Sequence, residues 1–183
     1  MKNPTVKKAL HFLVFLLLLG LICGGVLALV NSITAPVIAK NEQAKVQKEL
    51  SAILGDSYKY DVQEMAEGTD SVITAMYSLF DQSNNKIGVI YKTEFQGFAN
   101  KIIAITVITF ENDEIKNFKV IQAAETKGNP MTHNFGIDGV KVDSAMGSLT
   151  QEAGCTETFN RVSPVVQKVI DNYTANKGFY MGE

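Results

Sequence analysis

The feature that most limits what this chain can become is its N-terminal apolar run. From Ala9 to Val30 no residue is charged if His11 is neutral, and LHFLVFLLLLGLICGGVLALV is almost wholly apolar. As a helix, this run covers about 33 Å, enough to cross the hydrocarbon core of a bilayer. A cleaved signal peptide has a shorter apolar region, roughly 7–15 residues. No small-x-small cleavage site follows, and Ile22 stands before Cys23 where a lipoprotein signal needs a small residue. The run therefore reads as a retained transmembrane helix. Lys2, Lys7 and Lys8 precede it, and no charge follows until Lys40. The excess of positive charge on the near flank predicts a cytoplasmic N-terminus, with the rest of the chain extracytoplasmic in a bacterial cell membrane. Gly20 and Gly24 have the spacing that lets a second membrane helix approach closely; glycine is also common in membrane helices with no such role.

The chain has 183 residues. That leaves one further domain of roughly 140 residues, large enough to bury its own core. The expected organisation is a cytoplasmic N-terminus over 1–8, a transmembrane helix over 9–31, a stalk or packing helix over 32–55 and an extracytoplasmic domain over 56–183. Net charge is -2 and no basic stripe appears, so nucleic acid is not an expected partner. The two cysteines, Cys23 in the apolar run and Cys155 in a distant loop, predict no disulfide framework.

Pro36 punctuates the exit from the apolar run. Beyond it, Val46, Leu50, Ile53 and Leu54 fall on one helical face, and Gly55-Asp56 ends that helix. Val72 to Phe80 and Lys86 to Phe95 are rich in β-branched and aromatic residues, with the polar Gln82-Ser83-Asn84-Asn85 between them. Ile102 to Phe110 and Ile115 to Ala123 repeat the pattern around Glu111-Asn112-Asp113. Two such hairpins predict an antiparallel sheet with flanking helices, an α+β fold. Glu125 to Gly139 is too broken for a regular element, and Val142 to Gln151 is ambiguous. His133 has no second histidine or cysteine cluster at metal-ligand spacing, so no metal is assigned. No G-x-S-x-G turn supports hydrolysis. A last helix is expected from about Thr158 to Asn176, beginning near Asn160 or bending at Pro164.

Before that helix lies Ala153-Gly154-Cys155-Thr156, with Thr158 just beyond. A glycine and a hydroxyl residue at a helix start can hold a phosphate, because free N–H groups and the helix dipole both favour an anion. The same residues can equally be an ordinary helix entry in which Thr156 or Thr158 is the cap.

Four patches in order resemble the single-span, G-type flavoprotein subunit of the Rnf ion-translocating oxidoreductase, whose flavin domain is shared by the C subunit of the sodium-translocating NADH:quinone reductase. They are Asn31-Ser32-Ile33-Thr34-Ala35-Pro36-Val37-Ile38-Ala39 at the membrane exit, Gly97-Phe98-Ala99-Asn100-Lys101-Ile102, Glu125-Thr126-Lys127-Gly128, and Ala153-Gly154-Cys155-Thr156. The last is similar to the family's Ser-Gly-Ala-Thr attachment motif. The resemblance implies FMN joined through its phosphate to Thr156 by a separate flavin transferase that uses FAD. It implies that Ala153, Gly154, Cys155 and Thr158 surround the attachment, and that Glu125, Thr126 and Gly128 lie close to the flavin ring. This sequence departs from the family pattern at Thr150, where the family has Asp, at Ala153 and Cys155, and at Lys127, where it has Pro.

The expected function is then an electron-transfer subunit of a membrane complex, of the ferredoxin:NAD type rather than the NADH:quinone type, and not a complete enzyme alone. Its expected partners are the other membrane subunits, the flavin transferase and membrane lipid. Two alternatives stand beside it: a free-standing membrane-anchored flavoprotein, and a non-catalytic assembly or sensing domain without flavin.

Overall fold

The computed structural model describes residues 4–55, 57–123, 129–143, 149–150 and 154–182. They form α1 (Pro4–Leu54), β1 (Lys59–Gln63), β2 (Ile73–Phe80), β3 (Lys86–Gln96), β4 (Lys101–Thr109), β5 (Glu114–Gln122), a 3-10 turn (Pro130–Thr132) and α2 (Thr156–Met181). The chain separates into two compact units, Met1–Lys48 and Glu49–Glu183.

In the first unit, Leu10–Thr34 is long and apolar enough to cross a membrane, with a mean hydropathy of 3.0 and none of it buried. The polar residues at its end bond back onto the helix: Ser32 Oγ donates to the Leu29 carbonyl and Thr34 Oγ1 to the Val30 carbonyl, each at 2.8 Å. The helix runs on through position 36 rather than breaking there. A lone proline removes one backbone hydrogen bond, and the flanking residues propagate helix on either side.

The second unit is built on a five-stranded antiparallel meander in the order β1-β2-β3-β4-β5. The four strands read from the sequence all form, with ends shifted by a residue or so. β1 is additional. Its sequence, KYDVQ, has no buried face, and Val62 is 75% exposed. It forms because β2 offers an open edge: Lys59 to Gln63 pair with Phe80 to Met76, and Ser78 Oγ donates to Gln63 Oε1 at 2.7 Å. A short strand carrying Lys59 and Asp61 is a common way to end a sheet without inviting another chain.

Side chains alternate across the sheet, so each strand serves two faces. On one face Val89, Tyr91, Ile102, Ala104 and Ile108 join the core made with Val162, Val166, Val169, Ile170 and Tyr173 of α2. On the other face Ile90, Ile105 and Val107 are fully buried. There the Glu49 carboxylate meets Lys119 of β5 at 2.9 Å, and Leu50 and Leu54 at the end of α1 are buried.

α2 is longer than its apolar periodicity suggests at both ends. Pro164 lies inside it without breaking it: the proline is exposed, as is Asn160, so the carbonyl that loses its partner faces water. The one non-helical residue within α2 is Asn176, at φ -123° and ψ 17°. The chain resumes helix after it because Tyr180 is buried, donates to Asn172 Oδ1 at 2.7 Å and meets the Tyr91 ring edge-on at 6.3 Å. The contact with Tyr91 joins segments far apart in the chain, and no local pattern announces it.

Candidate functional site

The candidate site is the start of α2. Gly154 has φ 82°, the left-handed region in which glycine carries no steric penalty, and it turns the chain into the helix. Cys155 is the N-cap residue, and its side chain makes no capping hydrogen bond. It is instead 1% exposed and belongs to the core cluster. Neither Cys23 nor Cys155 is in a disulfide among the described residues. Thr156 is the first helical residue, and Phe159 N–H closes the first turn by donating to the Cys155 carbonyl at 2.8 Å.

The two threonines differ sharply. Thr156 is exposed, whereas Thr158 is 3% exposed and faces inward. A hydroxyl at the first helical position projects beside N–H groups that have no intrahelical acceptor. A reagent from solution therefore meets Thr156 Oγ1 and not Thr158 Oγ1. Glu157, also exposed, is the acidic residue of the first turn and complements the helix dipole. This end of the site combines an exposed threonine, an N-cap residue with no side-chain capping hydrogen bond among the described residues, and a left-handed glycine, a combination with which an anion is compatible.

The turn rests on the loop before it. Phe135 is fully buried, with its ring centroid 6.0 Å from that of Phe159 and 6.1 Å from that of His133. The Phe135 carbonyl accepts from Thr150 N–H at 3.0 Å. An open cleft of about 350 Å³ adjoins the same loop, lined by Phe118, Lys119, Met131, Thr132, His133 and Asn134.

Of the residues singled out in the sequence, Gly154, Cys155, Thr156 and Thr158 come together at the helix start. Glu125, Thr126, Gly128 and Ala153 lie outside the described residues. Thr158 changes role: its burial makes it part of the packing beneath the turn rather than a second surface hydroxyl. Phe135, Gly136 and Phe159 belong to no motif in the sequence. The turn-forming string Asn134-Phe135-Gly136-Ile137-Asp138-Gly139 was the available signal, since Asn-x-Gly and Asp-Gly mark tight turns, but nothing local says which element such a turn supports.

Residues 1–53 match a family model described as the RnfG N-terminal region. That match takes in most of α1 and none of the sheet or of α2. No curated protein matches the chain.

Proposed function

We propose that this chain is the single-span redox subunit of an Rnf-type membrane complex and that it carries FMN as a phosphoester on Thr156. Membership of the complex rests on the similarity of residues 1–53 to the RnfG N-terminal region. The choice of acceptor rests on one structural contrast: Thr156 is exposed at the first helical position and Thr158 is buried. In this reading the first-turn N–H groups and Gly154 receive the remaining phosphate oxygens, and the helix dipole favours their charge. The flavin, once bound, supplies electron transfer in single or paired steps. The chain's own contribution is to hold that cofactor on a covalent tether, which prevents its loss on the open side of the membrane.

The rest of the assignment follows from the same reading. The N-terminus is cytoplasmic and the sheet domain extracytoplasmic, a reading supported by Lys2, Lys7 and Lys8 before the apolar helix. A flavin transferase attaches the cofactor, and the electrons pass between this subunit and its membrane partners.

The test is covalent attachment. Full-length protein made with its flavin transferase should be heavier than the bare chain by one FMN less water, and should fluoresce in a denaturing gel. Thr156→Val should abolish both signals and Thr158→Val should retain them. A parent protein without an adduct, or an adduct that persists in Thr156→Val, refutes the assignment of Thr156.

A further inference from the structure

Two consecutive residues in the loop before α2 have left-handed backbones: Phe135 at φ 55° and Gly136 at φ 68°. Glycine tolerates this at no cost, but a bulky residue such as phenylalanine does so only where the surroundings over-determine it. Here they do. Gly136 N–H donates to Asn134 Oδ1 at 3.1 Å. Asn134 Nδ2 donates to Asp138 Oδ2 at 2.9 Å, and the other oxygen of Asp138 accepts from Phe118 N–H of β5 at 2.6 Å. Ile137, next along, is fully buried. The corner is thus fastened to the sheet through Asp138.

What the corner delivers is the Phe135 ring. Its left-handed backbone turns the side chain into the core, against Phe159 in the first turn of α2 and in the same cluster as the N-cap residue Cys155. A chain of named contacts therefore runs from β5, through Asp138 and Asn134, to the first turn of α2. Its N-cap residue, Cys155, makes no side-chain capping hydrogen bond among the described residues. Ordinarily, capping groups suppress fraying of a helix start. Here the described support comes from below, through Phe135 and Phe159.

We propose that the left-handed Phe135-Gly136 corner is the positioning element of the α2 first turn, holding the exposed Thr156 in a fixed geometry that a modifying enzyme can reach. The part concerning modification rests on the reading of Thr156 as the flavin acceptor; the part concerning the turn does not. Phe135 and Gly136 are positioning residues and touch no reacting atom in this account.

Substitution at Gly136 separates backbone handedness from bulk. A Cβ added there would stand 3.0 Å from Thr150 Oγ1, so each variant is paired with Thr150→Ala to open that space. Asn accepts a left-handed backbone and a β-branched residue does not. Full-length Gly136→Asn/Thr150→Ala and Gly136→Val/Thr150→Ala are compared, without flavin, by hydrogen exchange of the Phe159 amide, which is bonded to the Cys155 carbonyl, and of the Asn160 amide after it. Exchange of a β3–β4 peptide reports whether the domain is still folded. We expect the Val variant to exchange about tenfold faster in the first turn with the β3–β4 peptide unchanged, and the Asn variant to match the parent. If the Val variant unfolds, Phe135→Leu, which keeps apolar bulk and loses the ring against Phe159, is expected to show the same local loss. Equal first-turn exchange in the two Gly136 variants, or parental exchange in Phe135→Leu, overturns the proposal.

A second arm measures the initial rate of flavin attachment with purified transferase and FAD. The Val variant should be about tenfold slower and the Asn variant parental, in step with their exchange. Absence of an adduct in the parent counts against Thr156 as acceptor and leaves the exchange result standing. Altered exchange with parental attachment overturns the link between the corner and modification.

Discussion

Replacing Asp113 tests how the β4–β5 turn is tied to α2. Asp113 sits in the turn at φ 50°, and its carboxylate accepts the Tyr173 hydroxyl at 2.6 Å and Lys177 Nζ at 2.7 Å. Tyr173 is fully buried, so its hydroxyl depends on this acceptor. Asp113→Asn keeps both an acceptor and a residue type that tolerates a left-handed backbone, and it removes the charge. The exchange of a charge-assisted bond for a neutral one costs about 1 kcal/mol. The Lys177 pair adds no more than about 0.5 kcal/mol, because its side chains are 34% and 43% exposed and solvent screens them. Asp113→Ala additionally strands the tyrosine hydroxyl, which costs about 1 kcal/mol where water can enter, and places alanine at positive φ for roughly another 1 kcal/mol. The expected losses are therefore about 1–1.5 kcal/mol for Asn and about 3 kcal/mol for Ala. For a domain of this size each kcal/mol is about 3–4 °C in Tm, giving drops of roughly 4 °C and 10 °C. The assay is thermal melting of the full chain in detergent by near-ultraviolet circular dichroism, where tyrosine dominates because there is no tryptophan. Burial opposes the charge on Asp113, but Lys177 and Tyr173 outweigh it and hold the carboxyl below its ordinary range. A carboxyl depressed in the folded state stabilises above its unfolded value and loses that contribution as pH falls through the folded one. The gap between parent and Asn variant should hold from pH 7 to about pH 5 and close below about pH 4. An Asn variant as unstable as the Ala variant, or a gap that does not change with acid, refutes this account of the turn.

Three further variants bear on the same unit. Glu94→Gln removes the carboxylate that meets Lys92 at 2.9 Å, in a pair whose side chains are only 14% and 10% exposed, and should cost about 3 kcal/mol in urea denaturation; Lys101→Ala, with a lysine 61% exposed, should cost under about 1 kcal/mol. Pro164→Ala restores a helical N–H at an exposed position and should raise Tm, by about 1–2 kcal/mol of stability; an unchanged or lowered Tm would mean that the proline's restriction of the unfolded chain outweighs the missing bond.

The sequence by itself determined the elements whose signal is local. The Ala9–Val30 run needs no partner to be helical, and its length alone marks it as able to span a membrane. The four strands from β2 to β5 are rich in β-branched and aromatic residues and are punctuated by Asn- and Asp-containing turns, so the meander was legible in the sequence. The Gly154 turn and the helix that follows were legible for the same reason. Tertiary structure decided the rest. β1 has no face to bury and exists because β2 presents an unpaired edge. The last turn of α2 survives the break at Asn176 because Tyr180 finds Tyr91 and Asn172. Thr156 and Thr158 are one residue type two positions apart, and in the sequence only the family resemblance separates them. Which of them faces solvent depends on the angle at which α2 settles on Phe135 and the sheet. Packing between segments far apart in the chain sets that angle, and one segment's periodicity does not encode it.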